Sequence, residues 1–276
     1  MNAADPEPCG PDARGPDPRG PDPRRIDELD PTGRFTDRAA DYAAHRPSYP
    51  LGAVDALLEG LPDPHRLAAA DLGAGTGIMA RLLGDRGVRV WAVEPNAAMR
   101  AAAAPHPFVS WVDATGEATT LPDAAVDLVV VAQAFHWFHL ERAATEIRRV
   151  LVPGGRLGIV YNHRALGDPV GEAYERSVKA ASVLPSERLR LGPVFPEFLA
   201  GAGFLGVRVA SFPSGQFLDV EGLLGRARSA SYVPSSGPAW DRLEADLRAL
   251  HAAHADGGGR MLLRQRTEVV LAESPR

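Results

Sequence analysis

The segment Asp71-Leu-Gly-Ala-Gly-Thr-Gly77 combines an acid with glycine at three alternate positions. Glycine lets a backbone turn sharply and approach a ligand closely, and a loop that opens a helix offers N–H groups the helix does not use. Glu94 follows about twenty residues on, where a carboxylate can accept both hydroxyls of a ribose. A lone glycine loop is a weak signal. With a strand before it, a helix after it and an acid at that spacing, it marks a site for a nucleotide-like ligand.

Two such ligands compete. NAD goes with G-x-G-x-x-G, whose third glycine lets helix and strand pack around a pyrophosphate. Here the spacing is G-x-G-x-G, with an acid before the first glycine. S-adenosylmethionine has no phosphates, but its ammonium and carboxylate must be held, and Asp71 could help with the ammonium through water or the loop backbone.

The elements that must position these residues can be read from apolar patterning. Residues 67–72, 88–93, 108–112, 126–132 and 156–161 read as strands, the fourth as a continuous apolar run suited to burial on both faces. Residues 78–86, 96–104 and 141–151 read as the helices between them, and Pro153-Gly154-Gly155 as a turn. Upstream, residues 36–44 and 51–59 read as short helices. Downstream, 169–182, 195–201, 220–230 and 239–254 read as helices, and 207–212 and 260–271 as strands. The alternation predicts an α/β fold: a Rossmann-like, seven-stranded, mostly parallel sheet with helices on both faces. An N-terminal helical lid and a helical cap after the fifth strand, residues 163–201, complete it. Ligands then sit beyond the carboxyl ends of the strands. Residues 34–276 form this domain. Residues 1–33 contain three copies of a five-residue unit, Gly10-Pro-Asp-Ala-Arg14, Gly15-Pro-Asp-Pro-Arg19 and Gly20-Pro-Asp-Pro-Arg24, and are expected to be a disordered tail.

With those segments placed, the chain closely resembles the class I S-adenosylmethionine-dependent methyltransferases over about 240 residues, from Phe35 onward. The matching segments are the glycine loop, Val93-Glu94-Pro95-Asn96, Val112-Asp113-Ala114, Val126-Asp127-Leu128-Val129, Gln133-Ala134-Phe135-His136-Trp137-Phe138 and Leu151-Val152-Pro153-Gly154-Gly155. The resemblance implies S-adenosylmethionine as cofactor, met by Asp71, Gly73, Ala74 and Gly75 in the loop and by Glu94 and Pro95 after the second strand. It places Met99 near the adenine, Asp113 on the adenine amino group beside the Ala114 backbone, and Gln133 near the sulfonium or the methionine moiety. Tyr42, Arg46 and Tyr49 resemble the lid of a subgroup acting on small molecules, in which Tyr42 and Arg46 close over the methionine part.

Methyl transfer needs alignment, exclusion of water and sometimes a base. His136 is the leading candidate, since it follows the fourth strand and histidine titrates near neutrality; its bland role is to pack on Trp137 or end the next helix. His163 follows the fifth strand and is a second candidate for acceptor contact, and Tyr42 a third. Trp137, Phe138, Tyr161 and Tyr232 could form an aromatic wall. His136 and His139 lack a third ligand at metal spacing, so no metal is expected.

The partner is expected to be a small molecule. A net charge of −5 and a pI near 5.9 argue against nucleic acid. The Asn-Pro-Pro-Tyr type of motif found in adenine and glutamine N-methylating enzymes is absent after the fourth strand. A flat aromatic acceptor such as an indole-containing secondary metabolite, methylated on carbon, and a carboxylate or phenol methylated on oxygen both stay open. So does a non-catalytic, cofactor-binding regulator. No apolar run approaches the roughly 20 residues that span a bilayer, the N-terminus does not read as a secretory signal, and the single Cys9 does not point to an oxidising compartment. The expected setting is the cytoplasm, as a monomer or homodimer.

Overall fold

Runs of Ala, Val and Leu too short for long helices and apolar at every position are suited to strands covered on both sides. The structure, a computed structural model, describes residues 35–165, 167–183 and 195–276; the tail lies outside them, as does part of the segment expected to form the cap. After a 3-10 turn at Thr36–Arg38, the elements run α1 (Ala39–His45), α2 (Leu51–Leu58), β1 (Ala68–Leu72), α3 (Ile78–Gly84), β2 (Arg89–Val93), α4 (Ala97–Ala101), β3 (Val109–Val112), β4 (Val126–Ala132), α5 (Leu140–Val150), β5 (Leu151–Arg164), α6 (Pro169–Ala181), α7 (Phe195–Gly201), β6 (Leu205–Leu218), α8 (Val220–Arg228), α9 (Pro238–His254) and β7 (Met261–Glu273).

One sheet of seven strands results, in the order β3-β2-β1-β4-β5-β7-β6. The first five are parallel, and β7 runs antiparallel to both β5 and β6. Successive residues of the central strands feed opposite layers, as the two-residue strand period demands. Ala70, Leu72, Val129 and Val131 pack with Ala143 and Ile147 of α5 and Leu199 of α7. Ala69, Leu128 and Val130 pack with Val54 and Leu57 of α2 and Met79 and Leu83 of α3. The strand order reverses between β1 and β4, which opens a crevice at their carboxyl ends.

Three sequence readings change. The turn at Pro153-Gly154-Gly155 lies inside β5: Val126 pairs with Leu151 and Leu128 with Arg156, so the extra residues bulge without ending the strand. Strand β6 is longer than expected because it pairs with β7 from Leu205 to Leu218; Pro213 is tolerated there because β6 is an edge. The helical layer over the strand ends is also built differently. Tyr174 and Val178 of α6 pack with Leu223 and Leu224 of α8 and Trp240 and Leu247 of α9, whereas Phe195 and Leu199 of α7 belong to the sheet's own core. Among the described residues no helix is long and apolar enough to cross a membrane.

Helix α2 seats directly on β5 at Gly158, where an added methyl would overlap the Leu57 side chain. Gly158→Ala should therefore lower stability by roughly 1–3 kcal/mol through overpacking, read as a reduced urea midpoint. Pairing it with Leu57→Ala should recover part of that loss; no recovery would place the strain elsewhere.

Candidate active site

The glycine loop leaves β1 and enters α3 through three left-handed residues, Gly73 (φ 66°), Gly75 (φ 58°) and Gly77 (φ 73°). The conformation suits glycine alone among unstrained residues. Close packing reinforces the requirement: a Cβ on Gly73 would lie 2.6 Å from that of Ala134, and one on Gly75 would meet Met99 at 3.3 Å and Tyr42 at 3.6 Å.

Four of the loop amides, those of Gly73, Ala74, Gly75 and Gly77, are engaged within the protein. Gly73 and Ala74 both donate to the Val93 carbonyl, Gly77 donates to that of Ala74, and Gly75 donates to Glu94 Oε2 at 2.8 Å. Glu94 Oε1 accepts from the Asn96 N–H at 2.9 Å. The Glu94 carboxylate thus ties the loop to the end of β2 while facing the cavity, and each oxygen retains further acceptor capacity. Burial holds its pKa above the usual carboxylate range. Asn96 in turn accepts from the N–H groups of Ala98 and Met99, which starts α4 and points Met99 into the cavity.

Asp71 sits beneath the loop and does not line the cavity. Its Oδ2 accepts from the Ala80 N–H at 3.0 Å, supplying the first turn of α3 with an acceptor, while the buried Oδ1 has no hydrogen-bond partner. Burial pushes this carboxyl up to about 7, against the Ala80 bond and helped by the negative charge of Glu94.

The cavity runs from Glu94, Pro95 and Met99 past Gly73 and Gly75 to Gln133, Ala134, Trp137 and Phe138. Tyr42 and Phe35 close it from the lid; Phe35 meets Tyr42 edge-on at 5.8 Å and Trp137 at 6.0 Å. Gln133 lines it from a left-handed backbone (φ 59°), strain of the kind found at ligand sites. The chain after β3 contributes Thr115, Gly116 and Glu117, none of which the sequence reading picked out, although they follow a strand end like the residues it did. Asp113 and Ala114 stay outside: Asp113 is exposed and paired with Arg100 at 2.7 Å, and Ala114 is buried in the core. Ala74 and Arg46 do not line the cavity either. Arg46 lies over the Tyr42 ring, 4.7 Å from its centroid, and donates to the Ser229 carbonyl.

His136 and His163 flank Tyr161 behind the cavity wall. His136 Nδ1 lies 2.8 Å from the Tyr161 hydroxyl, which also accepts from the His136 backbone N–H. Burial, with Arg46 assisting, drops the His136 pKa to about 3. The ring is therefore neutral across the physiological range rather than titrating within it, as the sequence reading expected of a base. His163 stacks on Tyr161 and faces Glu268 at 3.7 Å; burial lowers its pKa too. No group of three or more metal-binding side chains occurs among the described residues.

The family described as "Methyltransferase domain" matches residues 70–159. An uncharacterized methyltransferase-like protein of Schizosaccharomyces pombe is 34% identical over 206 residues, covering 72% of this chain and 78% of that protein. The chain belongs to the class I S-adenosylmethionine-dependent methyltransferases. An uncharacterized methyltransferase of Mycobacterium tuberculosis is 45% identical over 134 residues, 47% of this chain; the chain spans about half of that relative's length. Among solved structures, a protein of Anaeromyxobacter dehalogenans described as a "Putative Type II Methyltransferase" superposes with a TM-score of 0.59 at 26% identity, covering 84% of this chain and 99% of that one.

S-adenosylmethionine is the cofactor of this methyltransferase. The cavity fits it: its lining puts the backbone of Gly73 and Gly75 and the apolar Met99 beside a carboxylate with spare acceptor capacity.

The raised Asp71 pKa has a signed consequence. The folded state keeps a proton that the unfolded chain releases near 3.8. The stability tied to this carboxyl is full at pH below that value and is lost as pH rises through about 7. Across that window the wild type should lose roughly 2–4 kcal/mol relative to Asp71→Asn, whose side chain does not titrate. Parallel pH profiles of the two unfolding midpoints would refute it.

Proposed function

We propose that the chain transfers the methyl group of S-adenosylmethionine to a small organic acceptor. One observation carries the reading: a single cavity joins the Glu94 end to the Gln133–Trp137 end under the Tyr42 lid. When bound, the cofactor supplies a methyl carbon made electrophilic by its sulfonium. Glu94 would take the ribose hydroxyls on its spare lone pairs, and Pro95 and Met99 would pack on the adenine beside the backbone of 115–117. Tyr42 would meet the methionine end, with Arg46 braced on its ring outside the cavity, Gln133 the side facing the acceptor, and Asp71 would hold the loop and α3 from beneath. Phe35, Trp137 and Phe138 would keep water from the reacting centre.

The neutral His136 narrows the chemistry. A ring with a pKa of about 3 is a weak base, so it suits orienting an acceptor by hydrogen bonding. Acceptors that need no strong base fit best: an electron-rich aromatic carbon, as in an indole, or an oxygen that is already ionised, as in a carboxylate. Both belong to the small molecules of secondary metabolism, and a cytoplasmic setting suits them.

Calorimetric titration tests the reading. S-adenosylhomocysteine should bind at micromolar concentration and NAD should not, and Glu94→Ala should weaken that binding by about 1–3 kcal/mol; binding of NAD alone overturns the assignment. Label transfer from the methyl-labelled cofactor to an acceptor in a cell extract separates an enzyme from a regulatory cofactor binder. For that acceptor, His136→Ala should lower kcat/KM by about tenfold or less, and the wild-type pH profile should show no limb between about 5 and 8 that His136→Ala removes. A loss on the order of 10² or more with such a limb would restore His136 as the base.

A further inference from the structure

The aromatic rings of the cavity are arranged for more than excluding water. Phe35, Tyr42 and Trp137 are each half-buried and keep part of their surface in its wall. Phe35 stands nearly perpendicular to both neighbours, at 84° to Tyr42 and 89° to Trp137, with centroids 5.8 and 6.0 Å away. Rings set at right angles make a corner lined by more than one π surface, whereas flat stacking presents a single face. An aromatic face carries partial negative charge and attracts a cation within about 6 Å of its centroid.

The charged groups of the cavity have the same sign. Among the described residues that line it, Glu94 and Glu117 carry charge, and no Lys, Arg or His joins them. Glu117 Oε1 accepts from the His139 N–H at 2.8 Å, which anchors this carboxylate to the chain just past Trp137. The Arg46 guanidinium lies outside the lining and already covers the Tyr42 ring. Among the described residues no guanidinium or ammonium lies over Phe35 or Trp137, so these two rings are the ones open to a cation from outside.

The donor and the spent donor differ at the reacting centre by one charge. When the methyl carbon passes to the acceptor, the electron pair of the broken C–S bond stays on sulfur, and the sulfonium becomes a neutral thioether. An apolar wall holds both forms alike, whereas π faces flanked by carboxylates favour the cation. We propose that Phe35 and Trp137 form a cation-recognising corner, by which the site holds S-adenosylmethionine more tightly than S-adenosylhomocysteine. The proposal rests on the methyltransferase reading and deepens it: the rings select the charged donor and ease departure of the neutral product.

Calorimetric titration of the full chain with each of the two ligands, without acceptor and at equal ionic strength, tests it. The wild type should bind S-adenosylmethionine about fivefold or more tightly than S-adenosylhomocysteine. Phe35→Leu and Trp137→Leu keep apolar bulk and lose the π face. Each should shrink that preference by about twofold or more, chiefly by weakening S-adenosylmethionine. Trp137→Phe, which restores a ring with a weaker π face, should fall between and serves if the leucine variant does not fold. No preference in the wild type overturns the corner and leaves the methyltransferase reading standing. So does a preference unchanged in the variants, which would place the discrimination on the carboxylates, or an equal weakening of both ligands, which would make the rings packing alone. Failure of the wild type to bind either ligand would instead overturn the methyltransferase reading.

Discussion

The carboxylate of Glu94 is the joint on which the site depends. One oxygen accepts from Gly75 in the loop after β1, and the other from Asn96 at the start of α4. Two neighbouring strands are thereby made to end in one rigid edge. Charge-assisted bonds of this kind are stronger than neutral ones, and burial screens them little. Asn96 extends the joint to the lid by donating to the Thr36 hydroxyl, so the floor, the loop and the lid meet at one short stretch of chain.

The sheet explains why that joint can be so small. With β1 and β4 buried on both faces, their carboxyl ends are fixed by two layers of core and not by the loops that follow them. The loops are left to carry strain, as at Gln133 and the three glycines, without endangering the fold. Asp71 divides its loyalties in the same way: it serves α3 through Ala80, and its second oxygen stays unsatisfied beneath the cofactor loop.

Much of this was legible in residue order. Strands β1, β2 and β4 announce themselves as apolar runs, and their bounds shifted by one residue at most. The glycine loop and Glu94 are local motifs whose geometry follows from their own backbone needs. What was not legible depends on partners distant in sequence. A carboxylate's role is set by whichever cation or N–H lies nearest, which is why Asp113 is turned outward by Arg100 and Asp71 inward by Ala80. His136 looks like a base from its place after β4, yet its burial beneath other segments, with the Arg46 charge assisting, decides its protonation. The bulge in β5 was misread because Pro-Gly-Gly signals a turn whether or not pairing resumes beyond it.

The lid does not rest on the cavity alone. Arg38 donates to the carbonyls of Arg228 and Ala230, Arg46 to that of Ser229, and Gln216 to that of His45; Gly225 leaves room for the His45 ring. Helix α1 is thus bolted to α8 and the chain on either side of it. Any displacement of α1 from the cavity would have to break these bonds as well, so the segment that roofs the cavity is held by the helical layer beyond it.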